Sequence, residues 1–399
     1  MHENPSTAIK NPGPVKVSPR AKQALIALGA AGLIVFVVGL KLDPTRAWSA
    51  WLLGYVFFLF WGLCGLFFTA VHHAAGASWS VVVRRIAEGM ASYLPVALVP
   101  LVIMLLGVQD IYAWAHPEQA RVRAPLGADK LAYLNLAFFS IRNFIFLGVW
   151  ALFGWLLIKN SLSQDESGDA GLSQKSSRLA SVFLPIFGLT FTLAVFDLTM
   201  SLEPNWYSTI FGVYCFAGLF QSGMAFLAIV AIWLRRRGEL AGLFNANHLQ
   251  DIGNWMFAFS VFSAYIGFSQ YMLIWYANLP DETFYLILRK SWPWGYLFLA
   301  VVFLKFFIPF FMLMGRDGKR NEKVVLTAAS LIILGQFLDL YLMIGPVVSP
   351  PKPLIGWIEL GTFVAFGSLF GICLLRFFGK HSILAHRDPK LAASVNWKQ

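Results

Sequence analysis

Cysteine is nearly missing from this chain: Cys64, Cys215 and Cys373 are the whole supply in 399 residues, each alone in its own apolar run. They can build neither a four-cysteine iron–sulfur site nor a C-x-x-C-H haem attachment, and they read as small apolar fillers. Histidine is scarce as well. Of seven, His2, His381 and His386 fall in polar tails, His116 in a loop, and His72, His73 and His248 at helix ends, so none forms a facing pair for a b-type haem. No metal-ligating set is predicted. A Walker A loop and a dinucleotide fingerprint are both missing, which excludes ATP-driven and nicotinamide chemistry. Barrel-like alternation is missing too. Only 13% of residues are charged. What remains is chemistry done with protons, quinones, ions or partner subunits.

What is abundant is apolar sequence, at 58% of residues, in runs longer than twenty. That composition predicts an all-α integral membrane protein. Ten spans fit, at 22–42, 47–73, 79–108, 131–159, 178–201, 206–234, 248–278, 292–314, 323–345 and 354–378, each able to cross about 30 Å of hydrocarbon. With the N-terminus inside, the inner segments hold 21 Lys and Arg against eight outside, so both termini are predicted to be cytoplasmic. The net charge of +11 is therefore a topology signal and not a nucleic-acid patch. The polar, proline-rich first twenty residues do not read as a cleavable signal, and span 1 is expected to stay. Asn11–Pro19 reads as a flexible segment without a core of its own, and Ser161–Ser177 as a cytoplasmic loop.

The chain also repeats itself. Residues 47–160 moved by 163 positions fall without a gap on 210–323, placing Glu88 on Asp251, Arg142 on Lys305, His72 and His73 on Arg235 and Arg236, and His116-Pro117-Glu118 on Leu279-Pro280-Asp281. With an offset of 142 beyond the shorter connecting loop, Asp197 falls on Asp339. An even number of helices separates the copies, so the repeat is parallel. The expected architecture is two four-helix bundles, spans 2–5 and 6–9, flanked by spans 1 and 10. In residues, that is a tail 1–21, a flanking helix 22–46, bundles 47–205 and 206–345, a flanking helix 346–379 and a tail 380–399.

Charges inside hydrocarbon need a task or a partner. Glu88 and Asp251 fall about one turn inside their helix starts, as capping acids or as protonatable groups at a cytoplasmic entrance beside His72 and His73. Arg142 and Lys305 fall about twelve residues into their spans, roughly 18 Å deep. With Asp197 and Asp339 they form either structural ion pairs or a polar chain that exchanges protons with the outer side. Glu359, beside Trp357, reads as an interface residue. Aromatic side chains, 16% of the chain, anchor helices at the interface. Trp206, Tyr207, Tyr271 and Trp275 are also the candidates for a quinone wall.

Two long stretches carry a resemblance: Phe196-Asp-Leu-Thr-Met-Ser-Leu-Glu-Pro-Asn-Trp-Tyr-Ser-Thr-Ile-Phe-Gly-Val-Tyr214 and Phe268-Ser-Gln-Tyr-Met-Leu-Ile-Trp-Tyr-Ala-Asn-Leu-Pro-Asp-Glu282. With His72-His73, Trp79 and Arg84-Arg85, they make the chain similar, from span 1 to span 10, to the second quinone-binding membrane subunit of bacterial alternative complex III. That complex is a quinol:cytochrome c or quinol:acceptor oxidoreductase. The resemblance implies an NrfD/polysulfide-reductase-like fold in a bacterial inner membrane. It also implies partners: multihaem and monohaem cytochromes, an iron–sulfur subunit and a larger sister membrane subunit, which carry the haems and clusters. In that family quinol oxidation is assigned chiefly to the sister subunit. A second quinone site and a proton path are implied for this one. The rivals are a secondary transporter and a structural membrane anchor.

Overall fold

The computed structural model describes residues 11–116, 126–349 and 353–398, and these are helical with no strand among them. His2, Pro117 and Glu118 lie outside the described residues. The main helices are α1 (Pro19–Leu42), α2 (Pro44–Ala74), α3 (Val81–Ala91), α4 (Leu98–Leu106), α5 (Leu136–Ser167), α6 (Gly171–Leu198) and α7 (Phe211–Arg237). They continue with α8 (Ala246–Ala277), α9 (Pro280–Lys290), α10 (Trp294–Met314), α11 (Glu322–Val348), α12 (Trp357–Lys380) and the short α13 (Leu391–Val395). Among the described residues, nine helices are long and apolar enough to cross a membrane.

The third expected span is not one helix. It is split into α3 and α4 by turns over 92–97. Pro95 has no N–H to donate and pushes Leu94 away from helical geometry, so the chain closes shorter turns instead. Tyr93 N donates to Met90 O at 3.2 Å, Leu94 N to Ala91 O at 3.0 Å and Val96 N to Tyr93 O at 2.9 Å.

The predicted loop 161–177 is also mostly helix. Its polar residues serve a helix–helix contact: Asn160 Nδ2 donates to Ser176 Oγ at 3.3 Å, and Gln164 Nε2 to Ser173 Oγ at 2.7 Å. Only 168–170 turn the chain, and Gly168, at φ 72°, supplies the left-handed residue that ends α5.

At the centre stands α2, 94% buried over its most apolar stretch, whereas α1 is only 17% buried and leans on α12. Around α2 pack α3, α6, α7 and α12; around α7 pack α8, α11 and α2. Small residues set the spacing, as they do where lipid offers no hydrophobic drive between helices. A Cβ on Gly65 of α2 would sit 2.3 Å from Ala87 O of α3. Trp61 of α2 stacks on Phe226 of α7 at 4.1 Å, worth about 0.5–1.5 kcal/mol beyond its burial.

The first described residues and the segment that follows α12 lie at one end of the molecule, where Val15 N donates to Phe378 O at 2.9 Å. That end is called the terminal end below, and the opposite one the far end. The N-terminal stretch from Asn11 is thus tied down, and so is the segment 380–398, read from sequence as a tail. It folds back over α3 and α8, with Ile383, Leu384 and Leu391 buried.

Candidate functional site

Every intramembrane charge singled out from the sequence has a partner, and the partners differ between the halves. In α5, Arg142 lies on the buried face and meets Asp197 of α6 through two parallel bonds, Nε to Oδ2 and Nη2 to Oδ1, both 2.8 Å. Its remaining Nη1 donates to Tyr133 O at 3.0 Å. The rings of Tyr133 and Phe138 cover the guanidinium, with centroids 3.7 and 4.2 Å from Cζ. This is a planar fork used to near capacity inside an aromatic sleeve.

Lys305 sits in a π turn, Phe303–Phe307, in the middle of α10. Its ammonium donates to Asp339 Oδ2 of α11 at 2.6 Å and to Gln336 Oε1, one turn earlier, at 2.8 Å. Tyr214 of α7 donates to the other carboxylate oxygen at 2.7 Å. The wide turn leaves Lys305 O to an outside donor, and Gln221 Nε2 supplies it at 2.7 Å. Gly335 permits this approach of α11, because a Cβ there would lie 2.6 Å from Lys305 Cγ.

Lys305, Asp339 and Tyr214 form the polar floor of a cavity of about 670 Å³ between α7, α8, α9, α10 and α11. Its wall is mainly apolar, and Tyr265, Phe268 and Phe307 line it while also showing on the outer surface of apolar helices. It therefore opens sideways, toward lipid. Gln270 hangs into it, nine-tenths buried, with Nε2 lacking any hydrogen-bond partner. A buried amide donor without an acceptor costs about 1–3 kcal/mol, so the cavity favours an occupant that brings an acceptor oxygen.

Of the four aromatic candidates, only Tyr271 lines this cavity, where its hydroxyl accepts from Lys290 Nζ at 2.8 Å. Trp206 is buried and stacks face to face on Tyr285 at 3.7 Å. Arg289 covers the other face of Tyr285, 3.5 Å from its centroid, and pairs with Glu203 at 2.8 Å. Tyr207 and Trp275 are exposed and do not line the cavity.

At the terminal end Glu88 is fully buried, 2.5 Å from Arg85 Nη1 and 3.5 Å from Arg84 Nε. Arg85 also pairs with Asp165, and Arg84 with Asp388 at 2.6 Å. His72 donates Nδ1 to Phe68 O at 2.8 Å, and His73 Nε2 is buried with no hydrogen-bond partner. The aligned Arg235 and Arg236 both reach Glu322, at 3.0 Å. Asp251 accepts from Trp397 Nε1 at 2.7 Å. Glu359, placed at the interface by the sequence, is buried and held by Arg46 through bonds of 2.6 and 2.7 Å.

The structure thus joins Arg142 with Asp197 and Lys305 with Asp339. It leaves Glu88 and Asp251 in separate groups at the terminal end. Sequence reasoning missed Tyr214, Gln221, Gln270, Gln336 and Arg289. A glutamine in a continuous apolar run was the available signal for three of them, and Gln336, three residues before Asp339, shares its helix face. No protein-family model matches the chain, and no curated protein matches it.

Proposed function

We propose that the chain is the quinone-binding, proton-conducting membrane subunit of a respiratory quinol:acceptor oxidoreductase of the alternative complex III type. In this reading it lies in a bacterial inner membrane with both termini cytoplasmic, and partner subunits carry the haems and iron–sulfur clusters. One observation carries the reading. The two stretches that bear the resemblance, distant in sequence, converge on one cavity: Tyr214 ends the first, and Phe268, Gln270 and Tyr271 belong to the second. The first stretch also supplies Glu203 and Trp206, which hold Arg289 and Tyr285 in the cavity wall.

A quinone head suits that wall, because it is neutral, flat and rich in acceptor oxygens, and its tail leaves through the lipid-facing gap. Gln270 Nε2 meets one oxygen. The Lys305–Asp339 pair, together neutral, lies deeper and receives or returns protons as the head changes redox state. Glu88 and Asp251 serve the opposite, cytoplasmic side of the path. For the architecture we propose ten crossings in two parallel four-helix repeats. In support, the broken α3–α4 segment starts at the terminal end, where Val82 N meets Ser394 Oγ at 3.3 Å, and finishes at the far end, where Tyr112 donates to Leu198 O at 2.8 Å.

A structural role is the better reading for one part of the site. Arg142 and Asp197 satisfy each other under aromatic rings, and such a pair fixes helix register.

The test is photolabelling with an azidoquinone in native membranes, followed by peptide mapping. Label is expected on 260–271 and 298–307 and should fall when unlabelled quinol is added in excess. Label that resists competition, or falls elsewhere, removes the quinone pocket. Co-purification with haem- and cluster-bearing subunits is expected in mild detergent. A chain that purifies alone and carries a solute across liposomes would instead be a transporter.

A further inference from the structure

The segment that closes the terminal end touches both halves at the residues that would admit protons there. Asp388 takes the Arg84 guanidinium, whose other partner is Glu88. Lys390 Nζ donates to Gly76 O at 2.5 Å, and Ser394 Oγ to Trp79 O at 2.8 Å. On the other half, His248 Nε2 donates to Ser394 O at 3.0 Å and Asn247 Nδ2 to Trp397 O at 2.9 Å. The indole of Trp397 then binds Asp251. The short stretch 384–398 thus spans α3, the start of α8 and, through His386 and Asp165, the end of α5.

This chain of contacts is unlike an ordinary tail. Its apolar residues Leu384, Ala385 and Leu391 are buried, and toward its two ends Asp388 and Trp397 bind the charged side chains of Arg84 and Asp251. A short segment that adds little to the packing of the long helices beneath it can open as a unit while those helices stay packed.

We propose that residues 384–398 are a latch that shuts the terminal-end access to Asp251 and Glu88, so that either carboxyl meets the aqueous phase only when the segment lifts. The consequence for proton flow rests on the function proposed above. The closure itself does not.

A hydrophobic carbodiimide, which modifies protonated carboxyls it can reach, reads the closure directly by peptide mass spectrometry. The full chain in native membranes is compared with Trp397→Phe and with a chain ending at Ala385, with Asp197 at the far end as the reference. Asp251 labelling should rise about three-fold in Trp397→Phe and tenfold or more in the truncated chain, where Glu88 labelling also rises, while Asp197 stays constant. If truncation opens the whole fold, Asp197 rises in parallel, and Trp397→Phe alone then decides. Equal Asp251 labelling in the full chain and in Trp397→Phe overturns the latch. Should labelling rise while Asp251→Asn leaves proton release by the complex unchanged, the latch stands and the proton path at Asp251 falls.

Discussion

Arg142–Asp197 and Lys305–Asp339 occupy aligned positions of a repeated sequence, yet one pair is sealed and the other lies open to a cavity. Arg142 is covered by the Tyr133 and Phe138 rings, and the aligned positions around the two pairs also differ in polarity. Where the second half has Tyr214, Gln221, Ser260 and Gln336, the first has Trp51, Phe58, Ala97 and Ala194. Gln270 answers to Gly107, and a Cβ there would lie 2.0 Å from Trp48, whose ring fills that space. Two copies of one charged framework thus differ in setting, a closed brace and a site open to a cavity, the second carrying amides and hydroxyls where the first has apolar side chains.

The sharpest break of this comparison is removal of each cation. Arg142→Met should cost about 3–5 kcal/mol of stability, since Asp197 would stay buried with its charge uncompensated. Lys305→Met should cost clearly less, because Asp339 keeps the Tyr214 hydroxyl and borders a cavity instead of packed side chains. Denaturant melts in detergent compare the two, and equal losses would erase the distinction between brace and site.

A second break concerns spacing. Gly335→Ala drives a methyl group into the Lys305 stem and should cost about 1–3 kcal/mol, with weaker quinone photolabelling. Leu193→Ala, at the aligned place in the first half, touches lipid and should stay within about 0.5 kcal/mol. A harmless Gly335→Ala would mean that Lys305 does not depend on that close approach.

Smaller again is Gln270→Leu. Its unpartnered donor disappears, so stability should hold or improve slightly, while affinity for an acceptor-bearing quinone falls about five- to tenfold, near 1 kcal/mol. Competition binding with a short-tailed quinone measures it, and unchanged affinity would take Gln270 out of the pocket.

The smallest effect is on pH, and it lies outside both pairs. Burial pushes the Asp388 carboxyl upward, but the Arg84 guanidinium and the Lys390 N–H together hold the group below its ordinary value of 3.8. A carboxyl depressed in the folded state contributes stability that is complete above the unfolded value and is lost as pH falls through the folded one. Hydrogen exchange in 384–398 should therefore show constant protection, after correction for intrinsic rates, from neutral pH down to about 4 and a loss only below that. Protection lost near pH 6 would mean that a histidine, not Asp388, holds the segment.

Much of this was legible in the letters. Apolar length gave ten spans, of which nine are long apolar helices among the described residues, and the internal repeat located both cations and both acids, because a buried charge among leucines and phenylalanines is conspicuous. The break after Ala91 was visible only as Pro95, which many membrane helices tolerate; here the i→i+3 turns and the buried Tyr93 ring settle it. The 161–177 stretch misled because its serines, glycines and aspartates read as a loop, whereas Gln164 and Ser173 bond across two helices that continue through it. The cavity was illegible for a plainer reason. A space is made by what five helices leave unfilled, and no single stretch records it. The folded tail likewise depends on partners more than a hundred residues away, such as Asp251 for Trp397.

The π turn around Lys305 has one further effect, on phase. The copies align without a gap, yet a wide turn takes up one residue more than the α-turn it replaces. On the terminal side of Lys305 the faces keep step: Pro309 and Leu313 are buried, as are Phe146 and Trp150, 163 positions earlier. On the far side they slip. Val301 is buried, but the buried residue in the first copy is Phe139, whereas Phe138, its aligned partner, is 43% exposed. One residue of slip is about 100° of rotation on a helix. The far third of α10, with Phe298, Val301 and Val302, is thereby turned toward the cavity, so an unaltered count of residues hides a helix that has been re-aimed like a key cut on a different face.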